Sequence, residues 1–157
     1  MTLYDVMQVC LNGHKVNGRA RTDLQRNKKF CTRCGAKTIT ACPECDAAIR
    51  GDSISQRGTP LRPTSVPNNC HNCGTAFPWR QAQIAAAIEA LEMGLTGQDA
   101  TEAAGLVREI AVETPRTQVA AMKLKWLLPK IGGAAYEVAV KVISDVASET
   151  AKKTLGF

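Results

Sequence analysis

The chain has 157 residues, 45% of them hydrophobic and 22% charged, enough for one ordinary domain or two small ones. No stretch reaches the roughly 18 uncharged apolar residues of a membrane-spanning helix, because the most apolar tract (126–147) is broken by Pro129, Lys130, Glu137, Lys141 and Asp145. The formal charge of +6 is held unevenly, with 12 Lys/Arg against 5 Asp/Glu in residues 1–80 and 8 against 9 in residues 81–157, so any attraction for polyanions belongs to the first half.

Composition changes near Trp79. Residues 1–80 hold every cysteine, both histidines and five of the seven prolines, whereas residues 81–157 are rich in Ala, Val, Ile and Leu. Two domains are expected, 1–79 and 80–157. The first has few large apolar side chains, and a segment of that size folds only with staples, either metal ions or disulfides.

The staples are readable from spacing. Cys10 and His14 form a C-x-x-x-H pair, and Cys31/Cys34, Cys42/Cys45 and Cys70/Cys73 form three C-x-x-C pairs. Eight soft donors make two complete tetrahedral sets with no cysteine left over, the arrangement that Zn²⁺ takes in structural sites. An odd cysteine count, the spacing and an opening segment without export character argue against disulfides; a reducing, cytoplasmic setting is expected. Ligating cysteines are thiolates, which brings the charge with two ions bound to about +3. The loops of 16 residues (15–30) and 24 residues (46–69) favour sequential pairing, Cys10/His14 with Cys31/Cys34 and Cys42/Cys45 with Cys70/Cys73, over an interleaved cross-brace.

Local residues agree. Gly35 and Gly74 follow the second cysteine of their pairs, where the chain turns through positive φ; Gly13 precedes His14, and Pro43 opens the turn of the Cys42 pair. Thr38-Ile39-Thr40 reads as a short strand. His71, inside the last pair, reads as a solvent-facing knuckle residue, since the donor sets are complete without it. No H-E-x-x-H or deaminase-type pattern accompanies the cysteines, and no thiol is spare for nucleophilic work. Structural rather than catalytic zinc is expected.

Two loops remain as candidate contact surfaces. Arg19, Arg21, Arg26, Lys28 and Lys29 crowd the loop inside the first site; such a run is commonly a solvated face, but it also suits phosphate contact, with Phe30 the one aromatic nearby. The segment Ser53–Asn69, with Pro60, Pro63 and Pro67, reads as an extended polar connection.

Phe77-Pro78-Trp79 marks the junction between the two halves, its aromatics expected to seal the second ribbon against the first helix. That helix is predicted from Ile84, Ile88, Leu91 and Leu95, ending near Gly94. Thr96 with Asp99 predicts the start of a second, carrying Ala103, Val107 and Ile110. Thr114-Pro115 predicts a third, lined by Ala120, Leu124, Leu127 and Ile131. A fourth is predicted over 134–153, with rows Val138/Val142/Val146 and Ala139/Ile143/Ala147 as one broad apolar face and Glu137–Lys141 and Glu149–Lys153 as ion pairs opposite it. Such a face needs cover, from the earlier helices or from a second subunit.

The segments Lys29-Phe30-Cys31-Thr32-Arg33-Cys34-Gly35-Ala36-Lys37 and Cys70-His71-Asn72-Cys73-Gly74 resemble those of bacterial double zinc-ribbon modules. With Cys10-Leu11-Asn12-Gly13-His14, Thr114-Pro115-Arg116-Thr117 and Ser148-Glu149-Thr150-Ala151-Lys152-Lys153, nearly the whole chain resembles a family of small bacterial proteins of unknown function. The resemblance implies a zinc-binding fold and is silent on substrate. His14 departs from ordinary double ribbons, which use C-x-x-C there.

The expected fold is small α+β: a pair of zinc ribbons, built of knuckles and short hairpins, followed by about four helices. The expected function is a non-catalytic zinc-binding interaction or adaptor protein with two structural ions, docking a protein partner or self-associating through its helical domain. The alternative is nucleic-acid binding through the 19–29 loop. No constellation of residues supports an enzyme.

Overall fold

The computed structural model describes residues 3–157 as a small α+β protein. The chain divides into two compact units, Met1–Gln81 and Ala82–Phe157. The division falls inside the first α-helix.

The first unit contains two three-stranded antiparallel sheets. One is ordered β1-β5-β6, from β1 (Leu3–Val6), β5 (Arg50–Ile54) and β6 (Pro60–Arg62); the other is ordered β3-β2-β4, from β2 (Gln8–Cys10), β3 (Lys15–Asn17) and β4 (Thr38–Ile39). Their shared core is slight: Met7, Val9, Ile49, Phe77 and Trp79, with Cys42 and Cys70. Phe77 and Trp79 stack with centroids 4.6 Å apart, and the Trp79 indole N–H donates to the Pro67 carbonyl at 2.9 Å. Both aromatics thus close the core of the first unit.

Polar groups do much of the remaining work. Asp5 is buried, and its carboxylate accepts from the Thr22 hydroxyl at 2.5 Å, the Val6 N–H at 2.6 Å and the Arg21 N–H at 3.0 Å. Burial raises its pKa, but these donors outweigh burial and hold the carboxyl below its usual value. The Ser53–Asn69 segment is not simply an extended connection. Its first part forms the β5–β6 hairpin, with Ser53 opposite Arg62 and Ile54 opposite Pro60. Pro60 is accommodated because β6 lies at a sheet edge.

The second unit is helical: α1 (Pro78–Glu92, starting before the division), α2 (Gly97–Ile110), α3 (Thr117–Leu127), α4 (Gly133–Val146) and α5 (Glu149–Leu155). Its core joins Leu91, Val107, Ile110, Leu124, Ile143 and Val146, with Ala103, Ala120, Ala121, Ala139 and Ala151 letting backbones approach closely. Gly94 sits so close to Ile131 that a Cβ there would lie 2.5 Å from its side chain.

Three local expectations are corrected. Helix α3 starts at Thr117, two residues after the predicted Pro115: the Thr117 side chain is fully buried and accepts from the Thr114 N–H at 2.8 Å while donating to the Val112 carbonyl at 2.7 Å. The predicted single last helix is two. Ala147 and Ser148 are extended, the Ser148 hydroxyl accepts from the Ala151 N–H, and the Ser148 N–H donates to the Ile110 carbonyl at 2.9 Å. The apolar face of α4 is also narrower than predicted: Ala139, Ile143 and Val146 are buried, but Val138 is 45% exposed, and Glu149 meets Lys152 rather than Lys153.

Candidate metal centres

Each C-x-x-C pair sits in the same local structure. The residue before the first cysteine bridges a residue three past the second, giving Phe30↔Lys37, Ala41↔Ala48 and Asn69↔Ala76. The residue after the second cysteine donates its N–H to the first cysteine's carbonyl, at 2.8 Å for Gly35 and 2.9 Å for Asp46 and Gly74. These three turn residues have φ of +74°, +60° and +75°. Glycine accepts that conformation freely; Asp46 is the one non-glycine residue with positive φ among the described residues. The Cys10/His14 pair turns the same way through Gly13, at φ +85°, immediately after β2 delivers Cys10.

These turns bring all eight donors into two groups. Cys10, His14, Cys31 and Cys34 form one and Cys42, Cys45, Cys70 and Cys73 the other, with ligand atoms within 4.8 Å of one another in each group. The grouping is sequential. Sulfur–sulfur distances are 3.7 Å for Cys10–Cys34, 3.8 Å for Cys42–Cys73 and 3.7 Å for Cys45–Cys70. A tetrahedral ion about 2.3 Å from each sulfur demands an edge of about 3.8 Å, whereas a disulfide bond would be about 2.05 Å. His14 presents Nδ1, which lies 3.5 Å from Cys10 Sγ and 3.6 Å from Cys31 Sγ; a nitrogen about 2.05 Å from the same ion would sit about 3.55 Å from each sulfur. The donor sets therefore fit an ion at each centre.

The thiols are electrostatically unequal. In the first group Cys10 and Cys31 are buried and Cys34 is exposed; in the second Cys42 and Cys70 are buried and Cys73 is exposed. The Ala36 N–H, followed by the Asn12 amide, holds Cys34 down to about 6, and the Thr75 hydroxyl and N–H hold Cys73 down to about 6. Backbone N–H groups of Cys73 and Asn72 lower Cys70, while burial raises Cys10 and pushes Cys42 up to about 11. Each group combines a buried thiol that favours the neutral form with an exposed one that favours thiolate.

Two residues at these centres escaped the sequence reading. Asn12, in the knuckle of Cys10 and His14, donates its side-chain amide to Cys34 Sγ at 3.4 Å; Asn72, in the knuckle of Cys70 and Cys73, donates to Cys45 Sγ at 3.5 Å. Each asparagine ties its own knuckle to a sulfur of the facing one. An asparagine inside both knuckles was the available signal. His71 is exposed and lies outside the donor group, as expected.

The basic loop is less open than its sequence implies. Arg19 and Arg26 both pair with Asp23, at 3.2 Å and 3.3 Å. Asn17 and Asn27 fasten its backbone, and Gln8 bonds both the Lys28 N–H and the Lys28 carbonyl. Arg21, Lys28 and Lys29 are exposed; Arg26 and Lys28 line a groove of about 330 Å³ next to His14 and Cys31.

No helix among the described residues is long and apolar enough to cross a membrane. Neither the curated proteins nor the solved structures hold a match to this chain. Residues 3–155, spanning both units and all eight donors, match the family described as "Uncharacterized protein conserved in bacteria (DUF2321)", and the chain belongs to that family.

Proposed function

We propose that this is a non-catalytic zinc-binding protein in which two structural Zn²⁺ ions fix the shape of the first unit and the helical unit docks a protein partner or a second copy. The observation that carries the reading is the closure of both donor sets: each centre has four protein donors at tetrahedral spacing, whereas a catalytic zinc keeps one position for water. A borderline-soft ion suits three thiolates plus imidazole as well as four thiolates. So many ligating thiolates belong in a reducing compartment, and the cytoplasm is the proposed location.

Elemental analysis of protein purified without added metal should give two zincs per chain; one zinc per chain, or iron in its place, ends the reading. Docking through the helical unit is supported by the exposed row Val119, Met122 and Trp126 on α3, at i, i+3 and i+7. Sedimentation across a concentration series, alone and with candidate partners, should show association that Trp126→Glu abolishes.

Nucleic-acid contact through the 19–29 loop is the second reading. One observation favours it: Phe30 is 56% exposed directly beside the exposed Lys28 and Lys29, supplying a stacking surface next to free charge. If it is right, affinity for a single strand falls steeply with salt and is lost on charge reversal at Arg26, Lys28 and Lys29.

A further inference from the structure

The first unit holds a cleft that neither reading uses. A cavity of about 610 Å³ opens over the β1-β5-β6 sheet between Tyr4, Arg50, Leu61, Arg62 and the segment 63–65. A second, of about 140 Å³, adjoins it through Arg50, Thr64 and Ser65. The larger cavity lies within the range of small-ligand sites. Two arginines and no carboxylate line the pair of cavities. The acid of β5, Asp52, is engaged elsewhere, by the Lys15 ammonium and the Thr64 N–H.

The cleft is built rather than incidental. Tyr4 pairs with Ser53 and Val6 with Arg50, so β5 carries one residue more than β1 between those pairs. In a regular strand, residues three apart face opposite sides; the bulge turns Arg50 to the side of Ser53. There its guanidinium lies 4.6 Å from the centre of the Tyr4 ring. Gly51 makes the bulge possible, because a Cβ at that position would fall 2.3 Å from the Gly18 carbonyl oxygen.

The opposite wall is held from behind. The Lys15 ammonium donates to the Thr64 carbonyl at 2.8 Å, and the Thr64 N–H donates to Asp52 at 2.8 Å. The Ser53 hydroxyl accepts from the Arg62 N–H at 3.0 Å and donates to its carbonyl at 3.3 Å, fixing the Arg62 backbone. Neither Arg50 nor Arg62 takes part in an ion pair among the described residues. A guanidinium stacked on an aromatic ring keeps its N–H edge available for an oxyanion. In the same cavity, Tyr4 is 43% and Leu61 55% exposed, which adds apolar surface to a lining that holds two cations.

We infer that this cleft binds a nucleotide, with its phosphate on the Arg50 and Arg62 forks and its base against Tyr4 and Leu61. The same chemistry has two sources, a free mononucleotide or one residue of a single strand. The test uses the zinc-loaded full chain with three probes: AMP, inorganic phosphate and an eight-residue oligothymidylate. Titration calorimetry reads affinity, and NMR reads the Tyr4 ring and the Arg50 and Arg62 side chains.

AMP should bind more tightly than phosphate and shift those signals, and Arg50→Gln or Arg62→Gln should each weaken it about tenfold. Arg57→Gln, in the turn of the same hairpin but outside the cleft, should change affinity by less than about twofold. Tyr4→Leu should weaken AMP and leave phosphate unchanged, and all variants should keep the zinc content of the parent. Oligothymidylate binding without AMP binding, with the same dependence on Arg50 and Arg62, assigns the ligand to a strand and supports the site. The inference is overturned if neither nucleotide probe binds, if AMP binds but no more tightly than phosphate, or if Arg57→Gln costs as much as Arg50→Gln. Strand binding that is lost on reversal of Arg26, Lys28 and Lys29 but indifferent to Arg50 and Arg62 also overturns it.

Discussion

The two units reach a defined shape by different means. The helical unit does it with a continuous core, from Leu91 through Val107 and Leu124 to Ile143 and Leu155. Among the described residues, the first unit, of similar size, has only Met7, Val9, Ile49, Phe77 and Trp79 as large buried apolar groups, and it gathers eight metal donors into two clusters where the other has no such cluster. On the proposed function, a short chain exchanges hydrophobic area for coordination bonds. The surface that results is polar and loop-rich, suited to presenting charged side chains. A helical core leaves its own surface to exposed apolar rows such as Val119, Met122 and Trp126.

Removing the metal should separate the units most sharply. Structural zinc is worth on the order of 10 kcal/mol or more to a small fold. Chelation should therefore abolish the dispersed NMR signals of residues 3–81 while leaving the helical circular dichroism largely intact. Buried Trp79 should shift its emission to the red, and Trp126, already 69% exposed, should not. Loss of helix in parallel with the zinc would show the units to be one cooperative system. The converse perturbation is Leu124→Ala, which should cost the helical unit about 3 kcal/mol in denaturant unfolding and leave two metals bound.

A gentler probe acts on the centres themselves. Asn12→Ala and Asn72→Ala each remove one amide donor to sulfur and should lower metal affinity about tenfold in competition with a chromophoric chelator, with stoichiometry unchanged. The smallest expected effect lies in the helical unit. Glu113 accepts from the Thr150 N–H at 3.0 Å, and that bond holds its pKa below the ordinary 4.5. A depressed native pKa contributes stability above the unfolded value that is lost as pH falls through the native one. Glu113→Gln should therefore lower the thermal midpoint of the helices at pH 6, the difference from the parent shrinking as the pH falls below the unfolded value and vanishing below the native one.

What the sequence shows depends on how local the signal is. Metal donors three or four residues apart announce themselves because a knuckle is a local object, and helices α1 to α3 follow from apolar period. The break at Ser148 hid because Ala147, Val146 and Ile143 continue a helical row straight through it; only the tertiary bond from the Ser148 N–H to the Ile110 carbonyl exposes the turn. The β5–β6 hairpin hid behind its prolines, and the pairing of Tyr4 with Ser53 joins residues too distant in the chain for any window to connect. Asp46 in a left-handed turn was unreadable for a different reason: the residue conflicts with the backbone, and the knuckle around it prevails.

The unequal corners of each cluster have a kinetic consequence. Cys34 and Cys73 are the exposed corners, while Cys10 is buried at the end of β2 and Cys42 is buried in the core that holds Phe77 and Trp79. An incoming carrier or chelator meets Cys34 or Cys73 first, so ligand exchange should proceed in order from that side. The ions would then leave by a defined route rather than by wholesale opening of the fold.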